Sequence, residues 1–258
     1  MKPVLFTIGS YNVYAFGVFL ALAFIISTII VWWFGREDLK EEQYLDAYVA
    51  CSLVGLVGAR VSYIISHHTE FGFSILRIIL VRETPGLSLI GGFVTGSMFL
   101  YFYCRNYKLS FSRLSDIFTT ALSLALIFVK TGQLLGGAAM GRITESIFAV
   151  RVVGLVGRRH PVEFYEAFLY LIQFIILLIL ARKATRRKWP QFTVSLLFVI
   201  FTAVNIFVLE FFKEYNIYLY GLSLKQLLTL GSGLVVCCIL LVRFKIPIKL
   251  LNKFKKKP

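Results

Sequence analysis

Apolar residues fall into seven runs along the chain, near residues 12–34, 44–66, 87–104, 117–137, 161–181, 194–212 and 226–243. Each run approaches or exceeds about 18 residues and is bounded by charged or turn-forming positions, so each is read as a membrane-crossing helix. The fold class that follows is all-α: a polytopic membrane protein with seven transmembrane helices, treated as one integral membrane domain over residues 1–258, because no linker is long enough to divide it. The sequence shows no internal repeat. The first run is long, opens on tyrosine and asparagine, has only Lys2 upstream and lacks a small-x-small site, so it is expected to stay as a membrane helix rather than be cleaved as a signal. Phe73 to Val81, within the segment 67–86, is too short to cross and reads as a helix lying in the interface.

Composition agrees with this pattern. Hydrophobic residues make up 58% of the chain and the mean hydropathy is +0.79, more apolar surface than a soluble domain of this length can hide. The net charge of +15 would point to nucleic acid in a soluble protein. Here the cations cluster at the ends of the apolar runs, so no nucleic-acid partner is expected. Arg36, Lys40, Arg105, Lys108, Arg113, the group from Arg182 to Lys188 and the tail from Arg243 onward lie on one side. They outnumber the cations of the opposite side by about two to one. That excess orients the N-terminus outside and the C-terminus in the cytoplasm, with the basic tail on anionic headgroups or serving as a plain topology anchor. The cysteines Cys51, Cys104, Cys237 and Cys238 lack metal-type spacing and suggest no disulfide framework.

Two cations change the picture. Lys130 and Arg60 lie inside apolar runs, where a charge costs at least about 2.5 kcal/mol on insertion scales and calls for a partner or a wet cavity. Both stand among glycines. Lys130 opens a stretch holding Gln133, Gly137 and Arg142, and Arg60 follows Gly55 and Gly58. The glycine-rich 130–142 stretch is expected to break or unwind its helix and offer backbone amides to an anion beside Lys130. Cations next to close-packed backbone suggest a site for a lipid phosphate. Gly91, Gly92 and Gly96 make a small-xxx-small face, read either as helix packing or as room for a lipid head. His160-Pro161 opens the fifth run, with Glu163 in its first turn and Glu166 a turn deeper, where it needs a cationic partner. His160 is the histidine placed to carry a proton, with a polar interfacial anchor as the plainer alternative. Glu210, near the end of the sixth run, also needs a cation, and a purely structural ion pair is the alternative there. The arginines of the 142–160 loop, on the translocated face, are read as an attraction for a headgroup or an acidic substrate, or as solvated loop charge.

Several of these segments, in this order, resemble the bacterial prolipoprotein diacylglyceryl transferases over most of the chain. The resemblance rests on Ile8-Gly9-Ser10-Tyr11-Asn12 with Tyr14, Gly58-Ala59-Arg60-Val61-Ser62-Tyr63, Gly91-Gly92 with Gly96, and Gly132 through Arg142. It continues through His160-Pro161 with Tyr165-Glu166, Glu210-Phe211-Phe212-Lys213, and Leu222 through Leu228. It implies transfer of a diacylglyceryl group from phosphatidylglycerol to the lipobox cysteine of prolipoproteins, with release of glycerol phosphate, at the bacterial cytoplasmic (inner) membrane. Implied partners are phosphatidylglycerol, prolipoprotein signal-peptide segments and membrane lipids. No metal or soluble cofactor is implied. The resemblance assigns catalytic or network roles to His160, Glu166, Glu210 and Arg60. It assigns phosphatidylglycerol binding to Lys130, Gln133, Gly137, Arg142, Gly91, Gly92, Tyr14 and Tyr63. The chain departs from the family pattern at Ile90 (histidine in the family), Lys130 (arginine), Gln133 and Gly136 (asparagines), Ala138 (an acid) and Ile206 (arginine). Two alternatives stand beside this reading: a descendant that binds phospholipid or lipoprotein precursor without turnover, and a small transporter whose charges would line a path through both leaflets.

Overall fold

A computed structural model describes residues 4–9, 11–36, 41–68, 86–137, 141–151, 156–214 and 221–244. The interfacial segment from Phe73 to Val81, the basic tail beyond Phe244 and Ala138 lie outside the described residues. Among those described, seven helices follow the seven apolar runs: α1 (Ala15–Gly35), α2 (Glu41–Ser66), α3 (Leu89–Tyr107), α4 (Phe111–Gly136), α5 (Val162–Arg186), α6 (Thr193–Glu210) and α7 (Leu224–Arg243). Six are long and apolar enough to cross a membrane; α3 is not among them. Its three glycines, tyrosines and terminal Arg105-Asn106 dilute its apolar content. The helices come with two short two-stranded ladders, β1 (Val4–Ile8) with β2 (Tyr11–Tyr14) and β3 (Val150–Arg151) with β4 (Arg158–Arg159). The first helix was expected from residue 12 and starts at Ala15, because Tyr11–Tyr14 pairs antiparallel with β1 across Gly9, whose φ is +58°. Aromatic and β-branched residues suit that pairing, and the positive φ suits glycine.

The chain divides into two compact units, Thr28–Phe118 and the combination of Met1–Ser27 with Thr119–Pro258. In the Thr28–Phe118 unit, α2 and α3 pack backbone to backbone. A side chain at Gly92 would put its Cβ 3.0 Å from Gly55 O and 3.1 Å from the Ala59 methyl, and one at Gly96 would stand 3.4 Å from Cys51 O. Glycine is what lets the helices approach so closely. Ser88 ties the seam at one end: its N–H donates to Ala59 O at 3.0 Å and its hydroxyl caps α3 by accepting from Gly91 N. At the start of α2, Tyr44, 1% exposed, joins α1 by donating to Trp32 O at 3.2 Å and lying over Gly35.

In the second unit, Gly132 of α4 meets α1 closely, since a Cβ there would lie 2.8 Å from Phe19 Cβ and 3.3 Å from Phe16 Cα. Helices α5 and α6 are joined by a polar bridge. Gln173, 2% exposed, donates to Thr202 Oγ1 at 3.0 Å and accepts from Asn205 Nδ2 at 2.9 Å. Helix α7 begins in a capping box: Ser223 Oγ accepts from Gln226 N at 3.2 Å, and Gln226 Oε1 accepts from Ser223 N at 2.9 Å. Such caps stabilise a helix start by about 1 kcal/mol.

The expected break of the 130–142 stretch falls at Gly137, while the expected unwinding beside Lys130 is corrected by the structure. Helix α4 runs unbroken through Lys130, Gly132 and Gln133 to Gly136. It stops at Gly137, whose φ of +73° is costly for any residue with a Cβ, and whose N–H donates to Leu134 O at 3.2 Å. Gly132 serves helix approach, so this helix offers no free amides at Lys130.

Candidate functional site

The polar residues of the second unit converge where three loop segments are stitched together. Gly141 pairs with Lys213 and Ile143 with Arg159 as isolated antiparallel bridges. Arg142 N donates to Phe212 O at 2.9 Å, and His160 N donates to Arg142 O at 3.1 Å. Gly141 crosses directly over His160, whose Cβ would stand 2.8 Å from a Cβ at that position, so the crossing needs glycine. Arg159, 8% exposed, locks the stitch by donating through Nη1 to Gly141 O at 3.0 Å and to Glu214 Oε1 at 2.7 Å. The residues following α4, preceding α5 and following α6 are thereby held against each other.

Glu166 is the centre of the ionic arrangement. Pro161 starts α5 by accepting from Phe164 N and Tyr165 N, and one turn on α5 points Glu166 into the unit with 7% of its side chain exposed. Lys213 Nζ donates to Glu166 Oε1 at 2.6 Å. Lys130, from α4, forms an ion pair with Oε2, in contact rather than in hydrogen-bond alignment. The cationic partner that Glu166 called for is thus two lysines. Burial pulls the Lys213 ammonium down, but the carboxylates of Glu166, Glu210 and Glu163 outweigh it and hold the group above the usual lysine value of 10.5. Lys130 is therefore a compensated cation, not an isolated one.

The other expected site residues distribute as follows. Arg142 donates through Nε to Lys213 O at 3.0 Å, which joins it to the Glu166 cluster. His160 Nδ1 is 3.3 Å from the Tyr165 hydroxyl, and Phe212 meets the imidazole edge-on at 5.2 Å between centroids. Glu210, 3% exposed, accepts through Oε1 from Ser223 Oγ at 3.4 Å and has Lys225 Nζ at 4.0 Å. Its Oε2 has no hydrogen-bond partner among the described residues. Gln133 is half-buried one turn after Lys130, Gly137 closes α4, and Tyr14 ends β2 with 37% exposure. Arg60, Tyr63, Gly91 and Gly92 belong to the Thr28–Phe118 unit. There Arg60 Nη1 donates to Gly86 O at 3.2 Å, Tyr63 stacks on His67 at 4.2 Å, and Gly91 and Gly92 lie in the α2–α3 seam.

A model of the prolipoprotein diacylglyceryl transferase family matches residues 3–243. The chain belongs to that family. A relative in Aliarcobacter butzleri strain RM4018, named phosphatidylglycerol–prolipoprotein diacylglyceryl transferase, is 28% identical over 266 residues covering 96% of each chain. Two relatives bear the same name in Rickettsia: that of R. canadensis strain McKiel is 26% identical over 91% of this chain and 96% of its own. That of R. felis strain ATCC VR-1525 / URRWXCal2 is 27% identical over 93% and 94%. This member of the prolipoprotein diacylglyceryl transferase family adds Lys213 to the residues singled out from sequence. Its signal was faint: a cation just past an apolar run, three residues after Glu210, carried as the last residue of the Glu210-Phe211-Phe212-Lys213 segment. Buried Arg159 and its partner Glu214 were likewise hidden among loop charges.

Proposed function

We propose that this chain moves a diacylglyceryl group from phosphatidylglycerol to the lipobox cysteine thiol of prolipoproteins. The family match over residues 3–243 carries the reading, and the ionic cluster at Glu166 supports it. In the reaction a sulfur–carbon bond forms as the carbon–oxygen bond to the phosphate breaks. The thiol gives up its proton and glycerol phosphate leaves. The protein must hold a phosphodiester, stabilise the charge that grows on the leaving phosphate, and accept the thiol proton. Lys130, assisted by Gln133 and Arg142, binds the phosphate, and Gly137 turns the chain at the end of α4. His160, oriented by Tyr165 and Phe212, takes the proton. Glu166 and Glu210 keep the ion network in place. Tyr14 enters as a lipid-headgroup contact; within the Thr28–Phe118 unit, Arg60 keeps its network role through Gly86 O, Tyr63 stacks on His67, and Gly91 and Gly92 act through the helix seam they permit.

The same proposal takes the chain as one integral domain of the bacterial inner membrane. It has seven spans, an outer N-terminus and a cytoplasmic C-terminus, as the cation asymmetry favours. Phosphatidylglycerol, prolipoprotein lipobox segments and membrane lipids are its partners. Ile90 and Ile206 favour a second reading, in which the pocket binds lipid or precursor without turnover. Expression in a transferase-depleted bacterium separates the two: restored growth with lipidated lipoprotein supports the transferase. Failure to rescue by a correctly inserted protein that still binds phosphatidylglycerol supports the binder.

A further inference from the structure

The transfer chemistry assigns no task to Glu163, an acid in the first turn of α5. Glu163 is 4% exposed, and its carboxylate meets its own backbone N–H at the helix start. Three charged groups act on it: Glu166 along the same helix, Lys130 from α4 and Lys213 from the segment after α6. Both lysines are already engaged. Glu166 pairs with each of them, and Glu210 also draws on Lys213 while standing 4.0 Å from Lys225. Among the described residues Glu163 has no ion pair of its own. Formally Glu163, Glu166 and Glu210 balance Lys130, Lys213 and Lys225, so the cluster holds no spare cation for an incoming anion. Arg159 is taken by Glu214, and Arg142 is exposed and screened by solvent. His160, just before α5, faces Tyr165 and Phe212.

We propose that Glu163 is a proton-linked positioning residue for the lipid phosphate: it takes up a proton as an anionic phosphodiester settles on Lys130 and Lys213. The inference rests on the headgroup role that the transferase reading gives Lys130. An arriving phosphodiester adds one negative charge to a balanced cluster. Phosphate and Glu163 would then compete for the same two ammoniums in surroundings that screen poorly. Glu166 is tied to both lysines, and Glu210 has Ser223 and Lys225, so Glu163 is the acid most easily neutralised. A proton on Glu163 restores the balance and leaves the ammoniums to the phosphate oxygens. This linkage runs with the reaction. As the carbon–oxygen bond to the phosphate breaks, charge grows on the leaving group. That charge holds the Glu163 proton more firmly, and the lysines stay available to stabilise it. Headgroup binding is therefore tight where Glu163 can be protonated and weakens as pH rises.

The test uses the full-length protein in neutral-detergent micelles with glycerophosphoglycerol, a soluble phosphodiester that does not itself titrate near neutral pH. Calorimetry in buffers of different ionisation enthalpy reads the protons taken up on binding. The wild type is expected to take up as much as about one proton per molecule bound, and to lose affinity by as much as about tenfold per pH unit between about pH 6 and pH 9. Glu163→Gln is expected to bind without that uptake, with an affinity that stays near the tight, low-pH limit of the wild type. Simple structural damage would instead weaken binding at every pH, and that result overturns the proposal. So does uptake that persists in Glu163→Gln, which would assign the proton to His160 or another group. If Glu163→Gln does not fold, Glu163→Asp decides, because it keeps the acid but withdraws the carboxyl. A shifted midpoint of the pH dependence supports the proposal, and an unmoved midpoint overturns it. Wild-type binding with no pH dependence overturns the proposal and leaves the transferase reading standing. Absence of wild-type binding at every pH removes the headgroup site and the proposal with it. Binding with proton uptake but no thioether product supports the proposal and defeats the transferase reading.

Discussion

Replacing Gly92 with alanine places a methyl group 3.0 Å from Gly55 O and 3.1 Å from the Ala59 methyl. One neighbour is helix backbone and the other a Cβ fixed to it, so neither can rotate away. Overpacking of this kind costs about 1–3 kcal/mol. The change also removes a helical glycine, which returns about 1 kcal/mol of backbone propensity. The net is a loss of about 0–2 kcal/mol. At Gly96 the added Cβ meets Cys51 O at 3.4 Å and Gly55 Cα at 3.7 Å, an ordinary contact. There the propensity gain stands alone, and Gly96→Ala is expected to stabilise by up to about 1 kcal/mol. Gly55→Ala, with a nearest approach of 3.2 Å to Gly92 O, falls between. Thermal unfolding in detergent should rank the variants Gly96→Ala above Gly55→Ala above Gly92→Ala, with KM for phosphatidylglycerol unchanged in all three. An equal shift at each position would refute the packing argument. An unchanged Tm with a raised KM at Gly92 would instead make Gly92 a lipid contact.

Other consequences follow from the second unit. Gln173→Leu removes both bonds of the α5–α6 bridge and strands Asn205. It is expected to destabilise by about 1–2 kcal/mol, and the Gln173→Leu/Asn205→Leu double variant by less than the sum of the singles, as read from unfolding midpoints. Lys213 is held above 10.5 in the folded protein, so its ion pair stabilises fully below that pH and the contribution disappears as pH rises through the higher folded value. The stability gap between wild type and Lys213→Met should therefore stay constant below pH 10.5 and narrow above it. A gap that narrows toward acid pH while Glu166 stays ionised would contradict the sign.

The helices were legible because membrane spans repeat one strong signal, an apolar run with charged ends, and all seven runs carry helices. What escaped was local. Tyr11–Tyr14 is as apolar as a helix start, and its strand pairing depends on β1, a partner the run itself does not reveal. The glycines at 132–137 looked like one breaker, yet Gly132 meets Phe16 and Phe19 inside a regular helix and Gly137 alone turns the chain. Composition cannot separate a glycine that allows approach from one that allows positive φ. The site was half legible. Glu166 announced its need for a cation by its depth in an apolar run. That Lys213 would share it with Lys130 depends on the loop stitch joining residues 141–143, 158–160 and 212–214, which no sequence spacing encodes.

Thioether formation between phosphatidylglycerol and a lipobox peptide, comparing wild type with Lys130→Ala in vesicles, is the most direct measurement. The account predicts diacylglyceryl-peptide and glycerol phosphate from the wild type and background levels from Lys130→Ala. Equal product from both would contradict the role given to Lys130. No product from a folded, lipid-binding wild type would contradict the transferase itself.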